Sequence, residues 1–199
     1  ILVCIKPIKK ELVSESVKLC DKYCINPYDM FALNEALKVK KNASDATIEC
    51  VCMGENNTKE VLKRCLAKGA DAAYLLSSFA GSDTIATSYI LSKFIETKNY
   101  DYIFCGSKSV DGETGQVVFG LSERLGFGCV TKVVEITEAE GDSLTMLRSE
   151  ESCDSILRSN GKTVVVFDDF SIETSISLIA MKRANRCSIN ILTGKEIGA

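Results

Sequence analysis

Between Ile1 and Arg124 the chain alternates short apolar runs with stretches of helical spacing, and that rhythm constrains the fold more than any other feature. Ile1-Leu2-Val3-Cys4-Ile5 reads as a buried strand. Polar, charge-mixed sequence runs on to Cys24. Asn26-Pro27-Tyr28-Asp29 then supplies an N-cap, a first-turn proline and a first-turn acid. A helical stripe follows through Phe31, Ala32, Ala36, Leu37 and Val39. Ala46 to Met53 is the next strand, closed by Gly54. Thr58 to Lys68 has helical spacing, with Gly69 as its C-cap. Ala72 to Leu76 is a third strand, and Ser82 or Asp83 caps a helix carrying Ile85, Ala86, Tyr89, Ile90 and Phe94. Tyr102 to Cys105 is a fourth strand, followed by Gly106 and a helix from about Thr114 to Arg124. Strands alternating with helices of this length imply a parallel α/β sheet. Ligands in such sheets bind beyond the strands' carboxyl ends, which directs attention to the loops after Ile5, Met53, Leu76 and Cys105.

After Gly128 the pattern changes. Val130 to Ile136, Ser143 to Ser149 and Ser152 to Arg158 read as an antiparallel meander, with a polar break at Glu138 to Asp142. Thr163 to Phe167 is one more apolar strand, Ser175 to Ala184 a short helix, and Ile189 to Leu192 the end of the ordered pattern.

Several function classes fall away. The absence of histidine removes Ser-His-Asp and Cys-His catalysis, histidine-ligated zinc and histidine-ligated haem. A formal charge of −3 argues against a chain built to grip nucleic acid. No apolar run approaches the roughly 20 residues of a membrane span. Ten cysteines are present without a C-x-x-C spacing. Cys50 and Cys52 share one strand face, and Cys4, Cys105 and Cys129 lie in or beside apolar runs. Cys20 and Cys24 alone have helical spacing. The expectation is structural thiols in a reducing, cytoplasmic setting.

The richest loop is Gly106-Ser107-Lys108-Ser109-Val110-Asp111-Gly112-Glu113-Thr114-Gly115-Gln116. It leaves a strand end and enters a helix, where free amides and the helix dipole suit an anion such as a pyrophosphate. It matches neither G-x-G-x-x-G nor G-x-x-x-x-G-K-[ST]. A helix entry capped by Asp111 or Thr114 is the competing reading. Asp111 and Glu113 would repel phosphate and better suit ribose hydroxyls or amide donors. The Asn26 to Asp29 turn and Gly81-Ser82-Asp83-Thr84 are further candidates, each also explicable as a helix cap. Lys182, Arg183 and Arg186 form a small basic cluster that reads most simply as a solvated face. No paired general acid and base and no activated nucleophile is visible.

These residues, with Ile1 to Lys6, Ala67-Lys68-Gly69-Ala70-Asp71-Ala72, Gly81-Ser82-Asp83-Thr84 and Asp111-Gly112-Glu113-Thr114-Gly115-Gln116 in the same order, resemble the electron transfer flavoprotein beta subunit family over nearly the whole chain. The resemblance implies a doubly wound parallel sheet of adenine-nucleotide-binding type with a small antiparallel β-meander toward the C-terminus. One domain over 1–199 is expected, with a nucleotide-binding core at 1–128 and the meander, last strand and docking segment at 129–199. It implies an electron carrier rather than an enzyme. Such a carrier pairs with an alpha subunit and shuttles electrons between acyl-CoA-type dehydrogenases and an acceptor, in some members by bifurcation. The implied cofactor is FAD (a second flavin) or AMP, and the compact Asp111 to Thr114 turn favours FAD. By resemblance the nucleotide would touch Cys4, Asn26, Pro27, Tyr28, Asp29, Met53 and the loop Gly106, Ser107, Lys108, Asp111, Gly112, Glu113, Thr114, Gly115, Gln116. Leu178 and Met181 would dock the dehydrogenase.

The chain departs from the family in lacking glycines at Glu150 to Asp154 and a proline near Lys162, and in a short Lys6 to Asn26 segment. The arm that clasps the alpha subunit would follow Ala199, so looser pairing is expected. A stand-alone nucleotide sensor of the universal-stress-protein kind is the alternative.

Overall fold

A computed structural model describes residues 1–12, 22–43, 45–79, 81–172 and 174–199. The strands are β1 (Leu2–Ile5), β2 (Pro7–Lys9), β3 (Tyr23–Ile25), β4 (Glu49–Met53), β5 (Ala72–Leu76), β6 (Tyr102–Gly106), β7 (Gly128–Glu140), β8 (Ser143–Ser149), β9 (Asp154–Asn160), β10 (Thr163–Phe167) and β11 (Asn190–Leu192). The helices are α1 (Pro27–Asn42), α2 (Lys59–Lys68), α3 (Thr84–Glu96), α4 (Val117–Leu125), α5 (Leu178–Arg186) and α6 (Gly194–Ile197).

Nine strands make one sheet in the order β11-β5-β4-β1-β6-β10-β7-β8-β9. Every pairing from β11 to β7 is parallel, and the β7–β8 and β8–β9 pairings are antiparallel. This is the expected α/β sheet, and residues 129–199 contribute strands to it rather than standing apart. The apolar runs read as buried strands are buried: β10 and β6 are covered along their whole length. α1 and α2 bury Met30, Leu33, Ala36, Val61 and Leu62 on one face, against Val3, Ile5, Phe104 and Phe167. α3 and α4 bury Ile90, Phe94, Val118 and Leu121 on the other, against Leu2, Val51, Ile103 and Val166.

The chain moves outward from β1 through β4 to β5, then crosses back to β6 on the far side of β1. Strand order therefore reverses between β1 and β6, and the loops from their carboxyl ends diverge to leave a crevice.

Several boundaries differ from the sequence reading. α4 starts at Val117, after Gly115 takes φ +61°, rather than near Thr114. β7 continues through Glu138–Glu140, because antiparallel partners on β8 hold those exposed residues in strand, and the turn falls at Gly141. β9 begins at Asp154, and the short helix begins at Leu178 behind a Ser177 cap that accepts from the Ala180 amide. β2 and β3 form a small antiparallel pair within the segment read only as polar. Cys129, expected in an apolar strand, is exposed. Cys20 lies outside the described residues.

Candidate functional site

The cleft at the β1–β6 divergence has a volume of about 490 Å³, within the ~300–1,000 Å³ typical of small-ligand sites. Its floor is the ends of three strands, with Cys4, Ile5, Val51, Met53 and Cys105. Its walls are the loop after β6 and the start of α3. Two helix N-termini reach it, α3 through Thr84 and Thr87 and α4 through Val117 and Val118, so positive dipole ends converge there.

Three side chains hold this geometry. Asp29, in the first turn of α1, accepts from the Lys6 amide at 2.8 Å and the Gly106 amide at 3.2 Å. One carboxylate thus pins the ends of β1 and β6. Burial pushes Asp29 up to about 7, although the Lys6 amide, the Asn26 side chain and the Gly106 amide pull the other way. Gly106 is required at this contact, because a Cβ there would lie 2.6 Å from both Asp29 Oδ1 and Tyr28 Cβ.

Asn26 sits at the N-cap position of α1, yet its side chain makes no cap hydrogen bond. It turns outward instead, donating to the Lys108 carbonyl at 2.8 Å and accepting from the Val110 amide at 3.3 Å. The residue read as a cap is a brace for the loop after β6. Lys6 completes the frame, donating to Ser109 Oγ at 3.0 Å and to Asp111 Oδ1 at 2.6 Å. Desolvation opposes it, but the Lys6 hydrogen bond keeps Asp111 below its ordinary range.

One group in this frame is left over. Ser107 Oγ is buried and has no hydrogen-bond partner. A buried hydroxyl left unpaired costs about 1–3 kcal/mol, and native structures retain such groups rarely. Ser107 lines the cleft, so a ligand with a polar group could satisfy it.

Of the sequence-predicted residues, Cys4, Asn26, Asp29, Met53, Gly106, Ser107, Lys108, Gly112, Thr114, Gly115 and Gln116 line the cleft. Pro27, Tyr28, Asp111 and Glu113 do not. Pro27 is buried as the first residue of α1. Tyr28 lies beneath Lys108 Nζ at 5.6 Å and beside Phe170, with ring centroids 6.2 Å apart. Asp111 is committed to Lys6, and Glu113 is exposed at φ +51°. The Gly81 to Thr84 turn serves both readings: Asp83 caps α3 by accepting from the Ala86 amide at 2.8 Å, and the turn also lines the cleft. Lys6 and Phe79 were not singled out as site residues. A lysine ending an apolar strand was the available signal for the first, and the second had none.

Leu178 and Met181 lie on α5, which packs on α2, and neither lines the cleft. Lys63 of α2 holds the carboxyl end of α5 by donating to the carbonyls of Ala184 at 3.1 Å and Cys187 at 2.5 Å. Leu178 is exposed and Met181 half-buried. Among the described residues no cluster of three or more metal-ligating side chains occurs, and no helix is long and apolar enough to cross a membrane.

The electron transfer flavoprotein domain matches residues 17–169, well over half of the chain. The chain belongs to the electron transfer flavoprotein family. It is similar to the electron transfer flavoprotein subunit beta of Thermoanaerobacterium thermosaccharolyticum, 36% identical over 183 residues, which cover 91% of this chain and 63% of that protein. The subunit beta of Clostridium acetobutylicum is 37% identical over 183 residues, with the same coverage of each chain. The caffeyl-CoA reductase-Etf complex subunit CarD of Acetobacterium woodii is 40% identical over 115 residues, 56% of this chain and 44% of that protein. The chain thus spans about 63% of the length of the two subunits beta. The doubly wound sheet that the resemblance implied is the sheet found here.

Proposed function

We propose that this chain is a beta-type subunit of an electron transfer flavoprotein whose cleft holds an adenine nucleotide, FAD or AMP. The observation that carries the reading is the orphaned Ser107 hydroxyl in a cleft bordered by two helix N-termini. When bound, the nucleotide supplies anionic phosphates and, as FAD, a redox-active ring. The chain's own residues supply the receptacle. Ser107 donates to the ligand, and the N-terminus of α4 borders the cleft through Gln116 and Val117. Lys108 offsets phosphate charge, while Lys6, paired with Asp111, keeps that carboxylate from opposing it. Asn26 and Asp29 hold the loop so that these groups are placed before the ligand arrives. Cys4 and Met53 provide an apolar floor beneath it.

An alpha subunit with its own flavin completes the unit, and an acyl-CoA-type dehydrogenase meets it at α5 through Leu178 and Met181. Bifurcation is the form of the activity if the cleft holds FAD, as the compact Asp111 to Thr114 turn favours, and the setting is the cytoplasm.

The test is co-expression with an alpha-type chain, denaturation of the purified complex and chromatography of the released nucleotides. Two FAD per complex supports the FAD reading, and one FAD with one AMP supports the AMP reading. A complex without any nucleotide, or no complex at all, overturns the proposal. A flavin absorbance band distinguishes it from a stand-alone nucleotide sensor.

A further inference from the structure

Cys4 and Cys105 are the next-to-last residues of β1 and β6, the two strands where the sheet reverses. The parallel register pairs Leu2 with Ile103 and Val3 with Phe104, which sets Cys4 beside Cys105 one step further on. Both side chains lie on the face that carries α3 and α4, and both line the cleft. Neighbouring strands lie ~4.8 Å apart, inside the roughly 4.4–6.8 Å Cα separation that a disulfide spans. Both are free thiols. Cys4 is half-buried and reachable from the cleft, and Cys105 is buried beside it. The Cys4 thiol lies within hydrogen-bond reach of Cys105 and, together with burial, pushes the Cys105 thiol well above its ordinary value. Cys50, Cys52 and Cys65 pack on the opposite face. Cys129 stands on β7, separated from β6 by β10.

We propose that Cys4 and Cys105 form a redox-responsive dithiol in the cleft floor, which a small-molecule disulfide converts to an intramolecular disulfide. Cys4, as thiolate, attacks one sulfur of R–S–S–R; the S–S bond breaks and R–S⁻ leaves, giving a mixed disulfide at Cys4. Cys105 loses its proton, attacks the Cys4 sulfur and expels the second R–S⁻. The two protons lost by the protein are taken up by the two leaving thiolates. The protein pair is oxidised by two electrons and R–S–S–R is reduced to two R–SH. A ligand in the cleft covers Cys4, so occupancy slows the reaction; this last step rests on the nucleotide reading above.

The experiment treats the full chain with 2-hydroxyethyl disulfide and follows intact mass and linked peptides, with far-ultraviolet circular dichroism to confirm that the fold persists. A Cys4–Cys105 peptide link about 2 Da lighter than the two reduced peptides, the two hydrogens removed, is expected, beside separate adducts on the exposed Cys129, Cys153 and Cys187. Cys105→Ser should stop at a single adduct on Cys4, and Cys4→Ser should leave Cys105 unmodified. A link through Cys129, Cys153 or Cys187 instead, or an unreacted Cys4 in the folded chain, overturns the proposal. Adding AMP or FAD should slow the link at least tenfold. An unchanged rate with the link still formed overturns the gating by nucleotide and leaves the dithiol standing.

Discussion

Around the ends of β1 and β6 polar groups point inward and are held, whereas around α5 and β9 apolar groups point outward. In the first region Asp29, Asn26 and Lys6 commit their side chains to the loop after β6, leaving Ser107 as the buried hydroxyl without a partner. In the second, Leu178 is 81% exposed, Ile179 73% and Ile156 on β9 74%. A preformed receptacle with one unmet donor suits a small ligand. An apolar, partly basic helix end suits a macromolecular partner. Substitutions should therefore separate into those that disturb folding or ligand and those that disturb association alone.

The largest expected effect is at Asp29. In the folded chain it keeps its proton to about pH 7, whereas unfolded it releases it near pH ~4. Between those values the native state binds more protons than the unfolded state, so stability falls as pH rises and levels off above about 7. The full effect amounts to at most about 4 kcal/mol. Urea unfolding at a series of pH values should show this fall in the wild type and its loss in Asp29→Asn. A parallel fall in both would remove the buried carboxylate from the account.

Next comes a glycine pair, one at the cleft and one at the start of β7, where the sheet leaves room. Gly106→Ala brings a Cβ to 2.6 Å from Tyr28 Cβ and 2.8 Å from its carbonyl carbon, costing about 3 kcal/mol. Gly128→Ala at the start of β7 meets nothing nearer than Thr163 Oγ1 at 3.7 Å. It should be neutral or stabilising by up to ~1 kcal/mol, since glycine is the weaker strand residue. Equal losses in denaturant midpoint would remove the close packing of Gly106 against α1 from the account.

Leu178→Ala should be the mildest for the fold, within about 0.5 kcal/mol of wild type. It should still weaken binding of an acyl-CoA-type dehydrogenase about tenfold or more. Surface plasmon resonance with the assembled complex reads the second effect, and thermal denaturation reads the first.

The strands around the cleft were readable because burial on both faces leaves unbroken apolar runs at β1, β4, β6 and β10. The loops that border the cleft were legible from the rule that ligands bind beyond the carboxyl ends of such strands, whereas the strand order that opens it between β1 and β6 was not. The meander's limits were harder to see, since Glu138 and Glu140 are exposed and polar and only their β8 partners make them strand. β2 and β3 have three residues each, too few for a period to show. Asn26 carried the right sequence signal with the wrong role attached. The same residue type caps a helix or reaches a loop 82 residues away, and only tertiary packing selects the second. Ser107 was included for its place in the loop, but its lack of a partner is a property of the folded site that no local pattern encodes.

Titration calorimetry of AMP and FAD into the chain and into Ser107→Ala tests the cleft most directly. The expected result is one site per chain, with affinity lowered about five- to tenfold in the variant and its unfolding midpoint unchanged or slightly raised, because the lost hydroxyl had no partner to give up. Absence of binding heat for both nucleotides, or equal affinity in the two proteins, would contradict a nucleotide site built around Ser107.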